Sequence, residues 1–307
     1  MEINMKNITK VGLSALAGTL AFTSAHAGEV SITGSMIASY TKKGGYSTTG
    51  NPLGMNKELT VAASGELDNG VGVAYKQTIT NAMAYNDSEL VFTGVPMMGD
   101  ASLALTSTGS PLDAIDDKTP IAFEEANAAV GSIKDVSGIN GTYGIRYTLA
   151  DVMGSGFTVD AFYTGDAGSG DAQADNGTAG TAGAGSGDGK EIVIKGSVPM
   201  VEGLDVGAGY AIMETINQDS QAVGPGTTDQ DEGTAYIKYA TGPFSLGYQI
   251  GAVSTGGNVL YKQQYYGISY TVSDDLSVSY NWIDASKTAA DGLRTEQDFD
   301  SISASYS

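Results

Sequence analysis

The chain has 307 residues, no cysteine, one histidine and a net charge of −20. That composition excludes thiol chemistry and disulfide stapling and leaves imidazole catalysis and most zinc sites without residues. It also opposes contact with nucleic acid or an anionic membrane surface.

The N-terminus reads as a secretion signal. Lys6 and Lys10 precede the apolar run Val11–Phe22, and Ala25-His26-Ala27 is a small-x-small site cut before Gly28. The run is far short of the roughly 20 residues a membrane-spanning helix needs; a buried N-terminal helix is the competing reading. Removing residues 1–27 takes away Glu2, Lys6, Lys10 and the histidine. What is left, 28–307, keeps 13 basic and 34 acidic residues, a net charge of −21.

The next segments alternate with period two, the mark of strands with one apolar face. Val30–Tyr40, Leu59–Leu67 and Val71–Ile79 open the series, the last two joined by the tight turn Leu67-Asp68-Asn69-Gly70. Further along, Tyr143, Ile145, Tyr147 and Leu149 alternate with Thr142, Gly144, Arg146 and Thr148. Phe157–Tyr163 and Ile192–Val198 follow. Leu204, Val206, Ala208 and Tyr210 alternate with Asp205, Gly207 and Gly209, and Phe244, Leu246, Tyr248 and Ile250 with Ser245, Gly247 and Gln249. After Tyr266–Val272, Leu276, Val278, Tyr280 and Trp282 alternate with Ser277, Ser279 and Asn281.

Fourteen strands are predicted. They start near Glu29, Lys57, Val71, Glu89, Ala101, Ile139, Phe157, Glu191, Leu204, Thr234, Phe244, Tyr265, Leu276 and Asp298. Short turns at Leu67–Gly70, Thr241–Pro243 and Ser273–Asp275 alternate with long connections at Asp166–Lys190, Glu214–Glu232 and Asp284–Gln297. A soluble sandwich would expose a face rich in Lys, Glu and Thr. Here the second face is Ser, Gly and Thr, which suits a water-filled bore. The expected fold is therefore all-β, a transmembrane antiparallel up-and-down β-barrel. The last strand, Asp298–Ser307, would leave an open edge in lipid. The expectation is a barrel incomplete at its C-terminus, about 14 strands present of 16.

Asp166–Lys190, rich in Gly, Ala, Ser and Asp, reads as a solvated external loop. A calcium site at Asp171, Asp175 and Asp188 is the sharper alternative, with no ligand-spacing pattern behind it. The connection from Thr106 to Gly138 is different. It sets Asp113, Asp116, Asp117, Glu124 and Glu125 among Pro111, Leu112, Ile115, Pro120, Ile121 and Phe123, and loops this long are usually functional. The apolar residues are expected to pack a loop folded inward at about 107–138 against the wall, leaving carboxylates at the narrowest point. An ordinary outer loop, or a short acidic helix over Ile121–Val130, competes. A glycosidase pair at Glu124 and Glu125 is a poor fit, since neighbours on a strand point to opposite faces.

The signal sequence, the alternating Ser- and Gly-rich strands and the run Asp113-Ala114-Ile115-Asp116-Asp117-Lys118-Thr119-Pro120 together resemble a Gram-negative general porin. The resemblance implies a sixteen-stranded barrel in the outer membrane, in contact with lipid and lipopolysaccharide and assembled as a homotrimer. Its third loop would form an eyelet for passive diffusion of ions and small hydrophilic solutes, with no cofactor and no catalysis. The eyelet acids would come from Asp113, Asp116, Asp117, Glu124 and Glu125. The bases opposite would come from Arg146, Lys76, Lys195 and Lys238, which strand alternation turns inward. With carboxylates in excess, cations should be preferred. The chain departs from the family in keeping only two arginines, Arg146 and Arg294, and in lacking a Pro-Glu-Phe-Gly-Gly loop tip. A trimer would bury an outer patch involving Val30, Ile32, Met36 and Ala38. The rival class is a structural or adhesive barrel with a closed lumen, which the small inward residues oppose.

Overall fold

A computed structural model describes residues 29–40, 53–80, 85–107, 110–123, 133–139, 143–165, 167, 187–214, 229–255 and 258–306. The secretion signal, Glu124, Glu125, Asp171 and Asp175 lie outside them. The described chain is all-β, apart from short 3-10 turns such as Asp113–Ile115 and Val152–Gly154. Two units are distinguished, 1–92 and 93–306.

The first unit holds β1 (Glu29–Tyr40), β2 (Leu53–Glu66), β3 (Gly72–Ile79) and most of β4 (Tyr85–Thr93). Its strands neighbour in chain order. In the β1–β2 pairing, Val30, Ile32, Met36 and Ala38 stand opposite Ala63, Val61, Lys57 and Met55, while Ser31, Thr33 and Ser35 stand opposite Ala62, Thr60 and Glu58. One face is thus apolar and the other polar, as period two requires. The β2–β3 turn closes where the sequence places it. Gly70 adopts φ +82°, a conformation that suits glycine, and its N–H donates to Leu67 O at 2.9 Å.

The second unit contains β5 (Ala101–Thr106), β6 (Gly144–Leu149), β7 (Phe157–Thr164), β8 (Gly189–Ser197), β9 (Leu204–Met213), β10 (Gln230–Thr241), β11 (Phe244–Thr255), β12 (Val259–Ser273), β13 (Leu276–Thr288) and β14 (Arg294–Tyr306). They too neighbour in chain order, and every described pair is antiparallel. Tyr248, Tyr266 and Trp282 line up across β11, β12 and β13 on the apolar face. Their rings are 5.0 and 5.2 Å apart, the second contact stacked. Phe244 and Tyr270 form a parallel rung at 4.8 Å. The opposite face carries Glu191, Thr234, Gln249, Gln263, Ser279 and Asn281, all buried. Burial lies on the polar face and exposure on the apolar one, the reverse of a soluble protein and the arrangement a lipid-facing wall needs.

Two sequence expectations are corrected. Several strands begin earlier than the apolar alternation suggests: β2 at Leu53, β10 at Gln230, β12 at Val259 and β14 at Arg294, while β6 begins later, at Gly144. The connection expected to be long at Asp284–Gln297 is short, because Ala285↔Gln297 through Thr288↔Arg294 continue the β13–β14 ladder. Residues 289–293 close it, with Ala289 N–H donating to Leu293 O at 2.8 Å and Gly292 at φ +84°. Backbone pairing does not require apolar side chains, so ladders extend past the greasy band into polar sequence.

The two faces should respond differently to charge. Ile250→Lys, on the apolar face of β11, is expected to lower folding stability in lipid vesicles by about 2–4 kcal/mol, whereas Ser245→Lys on the polar face leaves it nearly unchanged. Urea titration of vesicle-refolded protein measures both.

Candidate functional site

The segment between β5 and β6 is the candidate. Its outgoing leg, 110–123, crosses the polar face of the second unit strand by strand. Leu112 and Ile115 are fully buried, in a cluster with Val193, Ala211, Tyr236, Val253 and the returning Val136. Gln249 on β11 accepts the Lys118 N–H at 2.7 Å and donates to the Ile115 and Asp116 carbonyls at 2.8 and 2.7 Å. Asn281 on β13 donates to Pro120 O at 2.9 Å. The Ser279 hydroxyl accepts from Ala122 N–H at 2.9 Å, and Ser303 on β14 from Phe123 N–H at 3.1 Å.

The return leg, 133–139, retraces the path. Ile133 packs on Tyr265, Ile283 and Ala285. Gln263 donates to the Lys134 carbonyl, and the Tyr265 hydroxyl to Asp135. Ser137 and Gly138 N–H both donate to Glu232 Oε2 at 2.9 Å, and Ile139 N–H to Glu191 Oε1 at 2.5 Å. Glu191 also accepts from Leu112 N–H at 3.2 Å.

The segment can lie this close because the wall beneath it lacks side chains. A Cβ on Gly209 would meet Leu112 and Val193 within 2.7 Å; one on Gly247 would stand 2.3 Å from Pro120; one on Gly267 would stand 2.7 Å from Pro120 O. These polar-face glycines do not simply widen the lumen, as their small size suggests. They form a trough that the segment fills.

The apolar side chains of the outgoing leg point into the wall, and its acids lie at its surface. Asp117 is exposed and paired with its neighbour Lys118 at 3.0 Å. Asp113 and Asp116 are half-buried. Burial, then the negative charges of Asp113, Asp117 and Asp135, push the Asp116 carboxyl up to about 8, against the smaller opposing effect of Lys118. Asp116 is therefore largely neutral at pH 7.

Two of the four proposed bases pair with wall acids. Lys195 on β8 lies 3.4 Å from the buried carboxylate of Asp160, and Lys238 on β10 lies 3.8 Å from Asp205, which also accepts from the Tyr236 hydroxyl at 3.2 Å. Arg146 stands opposite Ala104 and Phe162 on the same face. Lys76 belongs to the first unit, opposite Ala62. Asp188, from the weighed calcium set, is ion-paired with Lys190 at 2.8 Å, and among the described residues no group of acids is arranged to hold a metal. Sequence reasoning missed Glu191, Glu232, Gln249, Gln263 and Asn281. Their one signal was parity: large hydrogen-bonding residues on a face otherwise made of Ser, Gly and Thr.

No family model matches the chain, and no curated protein matches its sequence. Solved structures do match in shape. OmpF of Salmonella typhi superposes with a TM-score of 0.57 at 13% identity, covering 92% of this chain and 86% of that one. An anion-selective porin from Comamonas acidovorans gives 0.56 at 19% identity, covering 88% and 82%. The outer membrane channel DcaP of Acinetobacter baumannii gives 0.51 at 10% identity, covering 93% and 99%. The chain has the porin fold. At such identities that is a statement about the β-barrel architecture alone.

Two outcomes are expected. In this porin-fold chain Gly247→Ala with Gly267→Ala lifts Pro120 off the wall and lowers thermal stability by about 1–3 kcal/mol, the usual range for overpacking, while the β-sheet circular dichroism is unchanged. Because docking raises the Asp116 pKa above its ordinary value of 3.8, the protonated carboxyl favours the docked state. That contribution is full below about pH 4 and is lost as pH rises through about 8. Melting temperature should therefore fall more between pH 5 and 9 in the wild type than in Asp116→Asn.

Proposed function

We propose that the chain forms a water-filled channel in the outer membrane for passive diffusion of ions and small hydrophilic solutes, with a preference for cations. The observation that carries this reading is the 110–139 segment. It buries Leu112 and Ile115 in the polar wall while leaving Asp117 exposed and Asp113 and Asp116 half-buried. A strip of carboxylates held on a rigid wall sets a field across a narrow passage, and selectivity then follows from the charge that predominates there.

On this reading no residue does covalent work and no enzyme activity is expected. Lys195 and Lys238, each facing a wall carboxylate, contribute a field largely cancelled at short range. Asp117 is likewise paired with Lys118, so the cation bias rests on the excess of acids over bases along the chain. Export through a cleaved signal, contact with lipid and lipopolysaccharide, and a homotrimer packed through the apolar face of β1 at Val30, Ile32, Met36 and Ala38 belong to the same proposal.

Planar-bilayer recording of the full-length protein under a KCl gradient tests it. At low salt, where charges are least screened, the cation-to-anion permeability ratio should exceed one. Asp117→Asn should reduce it about two-fold, the size expected for one charge acting through several ångströms of water. Asp116→Asn should change little at pH 6. A clear anion preference, or impermeable vesicles, would sink the reading.

A further inference from the structure

We infer that Glu191 and Glu232 are positioning residues, two buried carboxyl posts that pin the entry and exit of the acidic segment to the wall and so set where its acids stand. The inference rests on the channel reading for its consequence, though not for its geometry.

Both side chains are buried on the polar face, Glu191 at 4% and Glu232 at 1% exposure. An ionised carboxylate in such a place is costly unless hydrogen-bonded. The bonds it finds come largely from the segment: Glu191 accepts from Leu112 and Ile139, and Glu232 from Ser137 and Gly138. These are backbone N–H groups with no ladder to join. A carboxyl group, with two oxygens, can accept from several such donors at once. Glu232 is further held by Gln230 Nε2 at 2.7 Å and faces Lys134 Nζ at 3.6 Å.

Glu191 has the decisive place. Leu112 lies on the outgoing leg and Ile139 on the return leg, so one side chain ties both. The crossing is tight: a Cβ on Gly138, at φ +63°, would stand 2.0 Å from Ser110 Oγ and 2.9 Å from Glu191 Oε1. With its ends joined there, the two described legs are tied into one strap. A neutral amide keeps the side chain's shape but turns an N–H donor toward another N–H donor.

The test compares wild type, E191Q, E232Q and the double variant, all full-length, purified in detergent and reconstituted. Trypsin cleavage after Lys118 and Lys134, both in the strap, reports its docking without requiring conduction. Bilayer recording reports closures. In the double variant, cleavage should quicken about tenfold, as expected when a locally protected segment opens more readily. Spontaneous closures should increase similarly, while sheet circular dichroism stays that of wild type. Unchanged cleavage in a folded double variant would overturn the inference. Should the double variant not fold, E191Q alone is expected to quicken cleavage about threefold, and no change there overturns it equally. A wild type that resists trypsin but fails to conduct would strike the channel reading and leave the posts standing.

Discussion

A backbone that leaves its ladder must find other partners for its N–H and C=O groups, and the rest of this structure is arranged around that requirement. Between β5 and β6 the described legs cross successive strands instead of joining the ladder. The wall answers with side chains: Glu191, Gln249, Ser279, Ser303 and Asn281 for the outgoing leg, Gln263 and Glu232 for the return. Each sits on a position that a strand of alternating character must give to the lumen. The same positions that make the face polar make it adhesive to a peptide.

Shape completes what hydrogen bonding begins. Gly209, Gly247 and Gly267 remove Cβ atoms where Leu112, Ile115 and Pro120 come down, and Val193, Ala211 and Val253 supply an apolar floor within an otherwise polar face. The outcome is an inverted protein with a small core on its wet side. Burying Leu112 and Ile115 there costs no lipid contact, since the outer face keeps its own apolar rows.

Much of the fold was legible in the sequence because period two is unambiguous over segments such as Leu276–Trp282, and the observed pairing places those residues on the expected faces. Boundaries were less legible. Ladder bonds do not depend on side-chain polarity, so Arg294–Gln297 and Ala285–Thr288 pair although they read as loop. The acids Asp113, Asp116 and Asp117 could be named from their apolar company. Their anchors could not, because Glu191 and Glu232 bond backbone 52 to 95 residues away in sequence and their role depends on which part of the connection lands on which strand. The lysines show the same limit: alternation gave the side on which Lys195 and Lys238 stand, but Asp160 and Asp205 are brought beside them only by pairing across strands.

The aromatic row on the outer face has a spectroscopic corollary. Trp282, the chain's single tryptophan, stacks on Tyr266 on the face opposite the acidic strap. Any intrinsic fluorescence trace of this molecule thus reports the medium around the middle of one wall: its indole emission shifts blue when acyl chains replace water. It is silent on whether the strap inside is seated, so optical refolding curves and conduction describe two separate events.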